Sequence, residues 1–372
     1  MIFKVSGSAL QNVVRKLASV SDADAILRIR RVENTVDFNV YNRISKIFVV
    51  CEMPQHEIIE MNEEGKNSAV VRFKRFKTIV DVFSSSVDVC VNIIDDETMC
   101  LSSLNCGKTV MKTTSPDEFI DGQRLDAPFV FSTPAALFAK AVAECSYYSD
   151  TATSRYSITG VLLDTGNDCE ECFAVGTNGK CMCVMPFTVN VLSGKKPDCF
   201  TIIPSALASA LPRICADVLE EATIGISEDS VSISWEGFYL RAGLVSGRYP
   251  AWRRIVPSSE NSIHIEYNRD EMWSAISNVN RLNNEKFKRL EWNFVDDNTV
   301  ISTRTTETDY EYKSINLDGS ANGKILLDAS LLKWIGACPD GVNRLVMEMG
   351  GFGKPVKFSI NDKVFVVMPC SE

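Results

Sequence analysis

The sequence predicts an α+β chain built as three repeats, each with antiparallel sheet and two helices. Three observations carry this. A short alternating strand runs straight into an amphipathic helical stretch three times along the chain. A second helical stretch follows within each repeat, and a pair of alternating strands closes each one. At 372 residues the chain is too long for one ordinary core. Three units of roughly 120–130 residues match the usual domain size. The expected domains are residues 1–125, 126–258 and 259–372, with boundaries in short polar stretches.

Ile2-Phe3-Lys4-Val5 alternates as a strand and leads to Ser8, the expected cap of a helix striped by Leu10, Val13, Val14 and Leu17. Phe129-Val130-Phe131 opens the second repeat. Thr133 is its expected cap, Pro134 its first helical residue, and Leu137, Phe138, Ala141 and Val142 its stripe. Ile263-His264-Ile265 opens the third, with Asn268 as cap and Met272, Trp273, Ile276 and Val279 behind it. The second helices carry Phe76, Ile79, Val80 and Phe83, then Leu207 and Leu211 after Pro204, then Leu331, Leu332 and Ile335 after an Asp328 cap. Pro212 removes a helical hydrogen bond and predicts a kink or an early end. The closing strand pairs start at Val87 and Met99, Ala222 and Val231, and Leu345 and Val356. Asp95-Asp96, Glu228-Asp229 and Gly350-Gly351 supply their turns.

Helices on one face of sheets that join edge to edge would hide strand backbone that otherwise invites aggregation. Three such units would make an arc, and two arcs could close a ring by a head-to-tail contact that repeats twice.

Hydrophobic content of 45% and charged content of 23% are those of an ordinary soluble protein. No apolar run approaches the roughly 20 residues that cross a bilayer. The opening Met-Ile-Phe-Lys-Val-Ser lacks a basic segment before an apolar core, so a cytoplasmic protein is expected. Thirteen cysteines, scattered and odd in number, read as free thiols of a reducing compartment. A net charge of −9 argues against a whole surface gripping nucleic acid and leaves room for a local basic face.

Two stretches hold the candidate site, Arg155 to Met182 and Leu244 to Pro257. They set Leu, Ile, Met and Pro beside several arginines, as a shallow apolar groove with a charged rim would for a peptide. No catalytic constellation, cofactor or metal is expected. Cys169, Cys172, Cys181 and Cys183 lack the spacing of a structural zinc site. His56 and His264 are far apart in sequence with no nucleophile motif around them. The run from Gly350 to Lys354 has no following Ser or Thr, so it does not read as a phosphate loop.

Arg155-Tyr156 with Gly160, Thr177-Asn178-Gly179, Gly247-Arg248-Tyr249-Pro250 through Arg254 to Pro257, Asn284-Glu285-Lys286-Phe287 and Val366-Val367-Met368-Pro369 fall in one order. In that order and spacing the chain resembles the bacterial sliding clamp, the beta subunit of DNA polymerase III, over its whole length. The resemblance implies a ring-shaped homodimer with sheets outside and helices lining a hole for duplex DNA, held without regard to sequence. It implies a processivity factor in DNA replication, without enzyme activity, serving the replicative polymerase and opened by a clamp loader. Both partners would dock by a short peptide of glutamine, leucine and phenylalanine in a groove between the second and third domains.

By position, the groove would take Arg155, Ile158, Thr177, Gly179, Lys180 and Met182, then Pro250, Arg254 and Ile255, then Val366, Val367, Met368, Pro369 and Cys370. DNA would meet Arg15, Lys16, Arg72, Lys74, Arg75, Lys77, Lys140, Arg213 and Lys333 on the helices, and Tyr156 at the pore rim. The dimer contact would use Arg281 and Leu282 against Phe76 or its neighbours. Four places depart from the family pattern. Lys180-Cys181 stands for the usual His-Arg, and Cys370 for a methionine. Ser205-Ala206 replaces a basic pair, and the loop Ser21 to Asp24 has no basic residue. A three-repeat peptide-binding adaptor that does not encircle DNA is the alternative, and an enzyme built on the cysteines a third reading.

Overall fold

The computed structural model describes all residues except 43–44, 63–65, 105–106, 152–156, 167–170, 259–261, 283–287, 305–308, 338–342 and 372. Each repeat opens with the expected strand and helix. Strand Ile2–Ser6 enters α1 (Gly7–Ala18), and strand Ser68–Arg72 later enters α2 (Phe73–Val80). Strand Phe129–Pro134 enters α3 (Ala135–Ser146), and Thr201–Pro204 enters α4 (Ser205–Ile214). Strand Ile263–Asn268 enters α5 (Arg269–Leu282). The equivalent of α2 and α4 in the third repeat is a 3₁₀ turn, Ala329–Ile335. Three of its four buried residues, Ala329, Leu332 and Ile335, recur every third position, a spacing that lines up on a three-residue turn, and Trp334 is buried beside them.

The opening strand of each repeat pairs with the first strand of the expected closing pair: Ile2–Ser6 with Asp88–Ile93, Phe129–Pro134 with Glu221–Ile226, and Ile263–Asn268 with Arg344–Met349. All three closing pairs form as read from the sequence. The repeats then join edge to edge. Ile47–Met53 of the first pairs with Phe238–Gly243, the last strand of the second, placing Phe238 opposite Cys51. Cys181–Pro186 of the second pairs with Lys363–Val367, the last strand of the third, placing Cys181 opposite Val367.

Two helix starts differ from expectation, by two residues at α1 and by one at α3. Ser6, rather than Ser8, caps α1 by accepting from the Ala9 N–H at 3.2 Å, because the strand turns directly into the helix. Pro134 ends its strand, and α3 starts at Ala135. Asn268 does cap α5, its Oδ1 accepting from the N–H groups of Asp270 and Glu271 at 3.0 and 3.1 Å. Asp328 caps the 3₁₀ turn. α4 ends two residues after Pro212.

The chain divides into two compact units. One comprises Met1–Ala143, Leu163–Cys172 and Phe187–Ser246, the other Glu144–Leu162, Phe173–Pro186 and Gly247–Glu372. In the first, Phe3, Phe38 and Phe76 pack in series with centroids 6.3 and 6.4 Å apart. In the second, Trp292 lies edge-on to Tyr267 and Phe358 at 6.5 and 6.1 Å. No helix among the described residues is long and apolar enough to cross a membrane.

Candidate functional site

The groove lies wholly in the second unit and begins with a turn. Thr177-Asn178-Gly179 links strands Phe173–Thr177 and Cys181–Pro186. Asn178 Oδ1 accepts from the Lys180 and Cys181 N–H groups at 2.9 and 3.0 Å, as an Asx turn does. Thr177 Oγ1 donates to the Cys181 carbonyl at 2.8 Å and accepts from the Gly179 N–H at 3.1 Å. Gly179 has φ +82°, a region that disfavours side chains. These bonds hold Lys180 outward while Met182 turns in and is buried.

The second wall follows Tyr249, whose hydroxyl donates to the Val175 carbonyl at 2.9 Å. The 3₁₀ turn Trp252–Arg254 comes next. Trp252 is buried edge-on to Phe173 at 5.6 Å, and the Arg253 guanidinium lies 4.5 Å over its ring. That anchor leaves Arg254 and Ile255 exposed. The C-terminal tail forms the third wall. The Met368 N–H donates to the Lys180 carbonyl and the Cys370 N–H to Leu326, at 2.9 and 2.8 Å.

A cavity of about 680 Å³ results. Of the residues expected at the groove, Thr177, Gly179, Lys180, Met182, Arg254, Ile255, Val366 and Met368 line this cavity. Ile158, Pro250, Val367, Pro369 and Cys370 do not, because strand alternation turns Val367 inward and burial removes Ile158. Arg155 and Tyr156 lie outside the described residues. The expected set lacked Cys181, Val256, Pro257, Ser258, Gly350, Lys354 and Pro355, which also line the cavity. The glycine run ending in Lys354 was a visible signal, but its role depends on a turn brought in from elsewhere in the chain.

The first unit holds a cluster on α1, α2 and α4. Arg15, Lys77 and Arg213 share a cavity of about 810 Å³ with Asp81 and Asp217. Arg15 pairs with Asp217 at 3.1 Å, and Lys77 with Asp81 at 2.5 Å. Two of the expected phosphate contacts are therefore partly neutralised. Arg72, Lys74, Arg75, Lys140, Arg213 and Lys333 are exposed, and Lys16 is half-buried. Phe76, expected at the dimer contact, is instead fully buried against Phe38, because its position on α2 faces the core. Arg281 and Leu282 are exposed at the end of α5.

Other clusters have structural explanations. Burial pushes the Cys181 thiol up to about 11, which keeps it neutral and a poor nucleophile. The Cys145 and Cys183 Sγ atoms are buried 3.8 Å apart, and Cys145 also faces the Ala174 carbonyl. Cys169 lies outside the described residues. His264, Glu266 and Asp318 bring ligand atoms within 4.8 Å of one another. The Arg344 guanidinium already bonds the Glu266 carboxylate there and holds its pKa below the usual range, as an ion pair does.

The family profile for the central domain of the DNA polymerase III beta subunit matches residues 133–251. Structures of sliding clamps superpose over the whole chain. That of Pseudomonas aeruginosa, bound to griselimycin, has a TM-score of 0.88 at 15% identity, covering 100% of both chains. That of Bartonella birtlesii has a TM-score of 0.85 at 15% identity, again covering 100% of both. Residues 133–251 thus resemble the central domain of that family, and the whole chain has the sliding-clamp fold. The beta sliding clamp of Chlamydia pneumoniae is 26% identical over 180 residues, 48% of this chain and 47% of that one. That of Escherichia coli K12 is 25% identical over 195 residues, 52% and 50% of the two. The chain thus spans about half the length of these curated relatives. A longer match at lower identity, to the Chlamydia muridarum clamp, is 20% identical over 317 residues and covers 82% of this chain and 81% of that one.

Proposed function

We propose that the chain is a DNA sliding clamp. Two copies would close head to tail around duplex DNA, and the groove would hold peptide segments of the replicative polymerase and the clamp loader. The observation that carries this reading is the repeated seam. Within one chain, an interior strand of each earlier repeat takes the last strand of the next repeat. That rule leaves two equivalent strands at sheet edges, Gly107–Lys112 of the first repeat and Asp309–Ile315 of the third. They are the two that a second copy would join. Their charges are complementary, with exposed Lys108 and Lys112 on one and exposed Glu311 on the other.

In this reading the domains are residues 1–125, 126–258 and 259–372, and the clamp works in the cytoplasm without catalysis or a cofactor. DNA is held by closure, so the helices need only a mildly positive face. Lys74, Arg75 and Lys140 supply it through sequence-blind phosphate contacts. The test is retention on nicked circular DNA after loading with a clamp loader and ATP, followed by linearisation. A topological tether stays on the circle and runs off the cut ends. Failure to remain on the circle would leave the adaptor reading.

A further inference from the structure

We propose that the groove selects peptide segments bearing carboxylates beside their apolar residues, and that Lys354 is a specificity-determining residue for them. This deepens the peptide-groove reading and rests on it. The cavity floor is apolar, with Met182, Ile255 and Val366. Three separate turns each bring one exposed cation to its rim: Lys180 from the Asx turn, Arg254 from the 3₁₀ turn, and Lys354 from the glycine turn. No Asp or Glu lines the cavity among the described residues.

The glycine turn is built to present Lys354. Gly351 and Gly353 have φ +133° and +82°, conformations that L side chains rarely adopt. The Lys354 N–H donates to the Gly351 carbonyl at 3.2 Å, and its aliphatic stem lies over Gly350. Asp328 is the carboxylate felt by the Cys181 and Cys370 thiols. Its Oδ1 is engaged, accepting from Ser330 N–H and Oγ at 2.8 and 2.6 Å. On a chain of net charge −9, a cationic rim is a local exception. The general field would repel an acidic peptide, while this rim draws it in and fixes its register.

The test is fluorescence anisotropy with two labelled peptides, Gln-Leu-Phe flanked by three Asp or by three Asn. The acidic peptide should bind about tenfold tighter at low salt, from three exposed pairs acting together. Lys354→Gln should cut the ratio to about fourfold, and roughly 0.5 M salt should erase it. Lys195→Gln, at an exposed lysine that does not line the groove, should leave it unchanged. Equal affinity of the two peptides would overturn the charge preference and leave the groove standing. An unchanged ratio in Lys354→Gln would overturn the role of Lys354. Binding of neither peptide would overturn the groove itself and this inference with it.

Discussion

Gly176 precedes the Thr177-Asn178-Gly179 turn on its strand, where α3 passes so close that a β-carbon would sit 1.9 Å from the Cys145 carbonyl oxygen. The three nearest atoms, the Cys145 O, C and Cα, are all backbone, so they cannot yield cheaply. Gly176→Ala should therefore destabilise the fold by about 3 kcal/mol in urea denaturation, as overpacking does. Equal stability of the two proteins would mean that α3 can slide on its strand. Neighbouring Thr177 and Asn178 work differently, since their hydrogen bonds shape the groove lip. The motif was legible in the sequence because an Asx turn needs only residues next to one another. The clash at Gly176 was not legible, because its partner is 31 positions away and on another element.

At the scale of elements, the link between the first and second repeats is a strap across their seam. Phe119 is buried with Ile26, Phe48, Val70 and Tyr239. The Leu125 N–H donates to the Tyr239 hydroxyl at 2.6 Å. Arg28 lies 4.5 Å over the Phe119 ring and bonds both carboxylate oxygens of Asp121. That hydrogen bonding holds the Asp121 carboxyl below its ordinary pKa. A carboxyl depressed in the folded state adds stability above its unfolded pKa of about 3.9 and loses it as pH falls through the folded value. Arg28→Ala should thus cost about 0.5 kcal/mol from the ion pair at pH 7, since Asp121 is largely exposed, plus the lost stacking on Phe119. The ion-pair part should vanish in acid below the folded pKa, as thermal melts across pH would record. A mutational cost that stays the same at every pH would assign the whole effect to stacking. Composition made this stretch read only as a short polar boundary. Its function as a strap depends on Arg28 and Tyr239, which lie on strands far from it in sequence.

For the whole molecule, closure through a second copy would draw on the end of α5, where Leu282 is 39% exposed. Leu282→Asp should convert dimers to monomers by light scattering while the melting temperature of the chain barely moves, because the residue already faces solvent. An unchanged dimer mass would place the contact elsewhere. Phe76 is not a test site, since its burial means any charge there would unfold the first unit.

What could be read from the amino acids was whatever their order encodes locally. That includes the strand-to-helix starts, the Asn268 and Asp328 caps, the hairpins, and the motifs that carry the family resemblance. Alternation, caps and tight turns are settled by residues within a few positions, so they survive without knowledge of the rest. Which strands form the seams, the acid partners of Arg15 and Lys77, the burial of Phe76 and the arrival of Lys354 at the groove required the folded chain. Most of these depend on which distant backbone or side chain comes alongside, or on which way a residue turns in its packed element. Neither periodicity nor spacing records that.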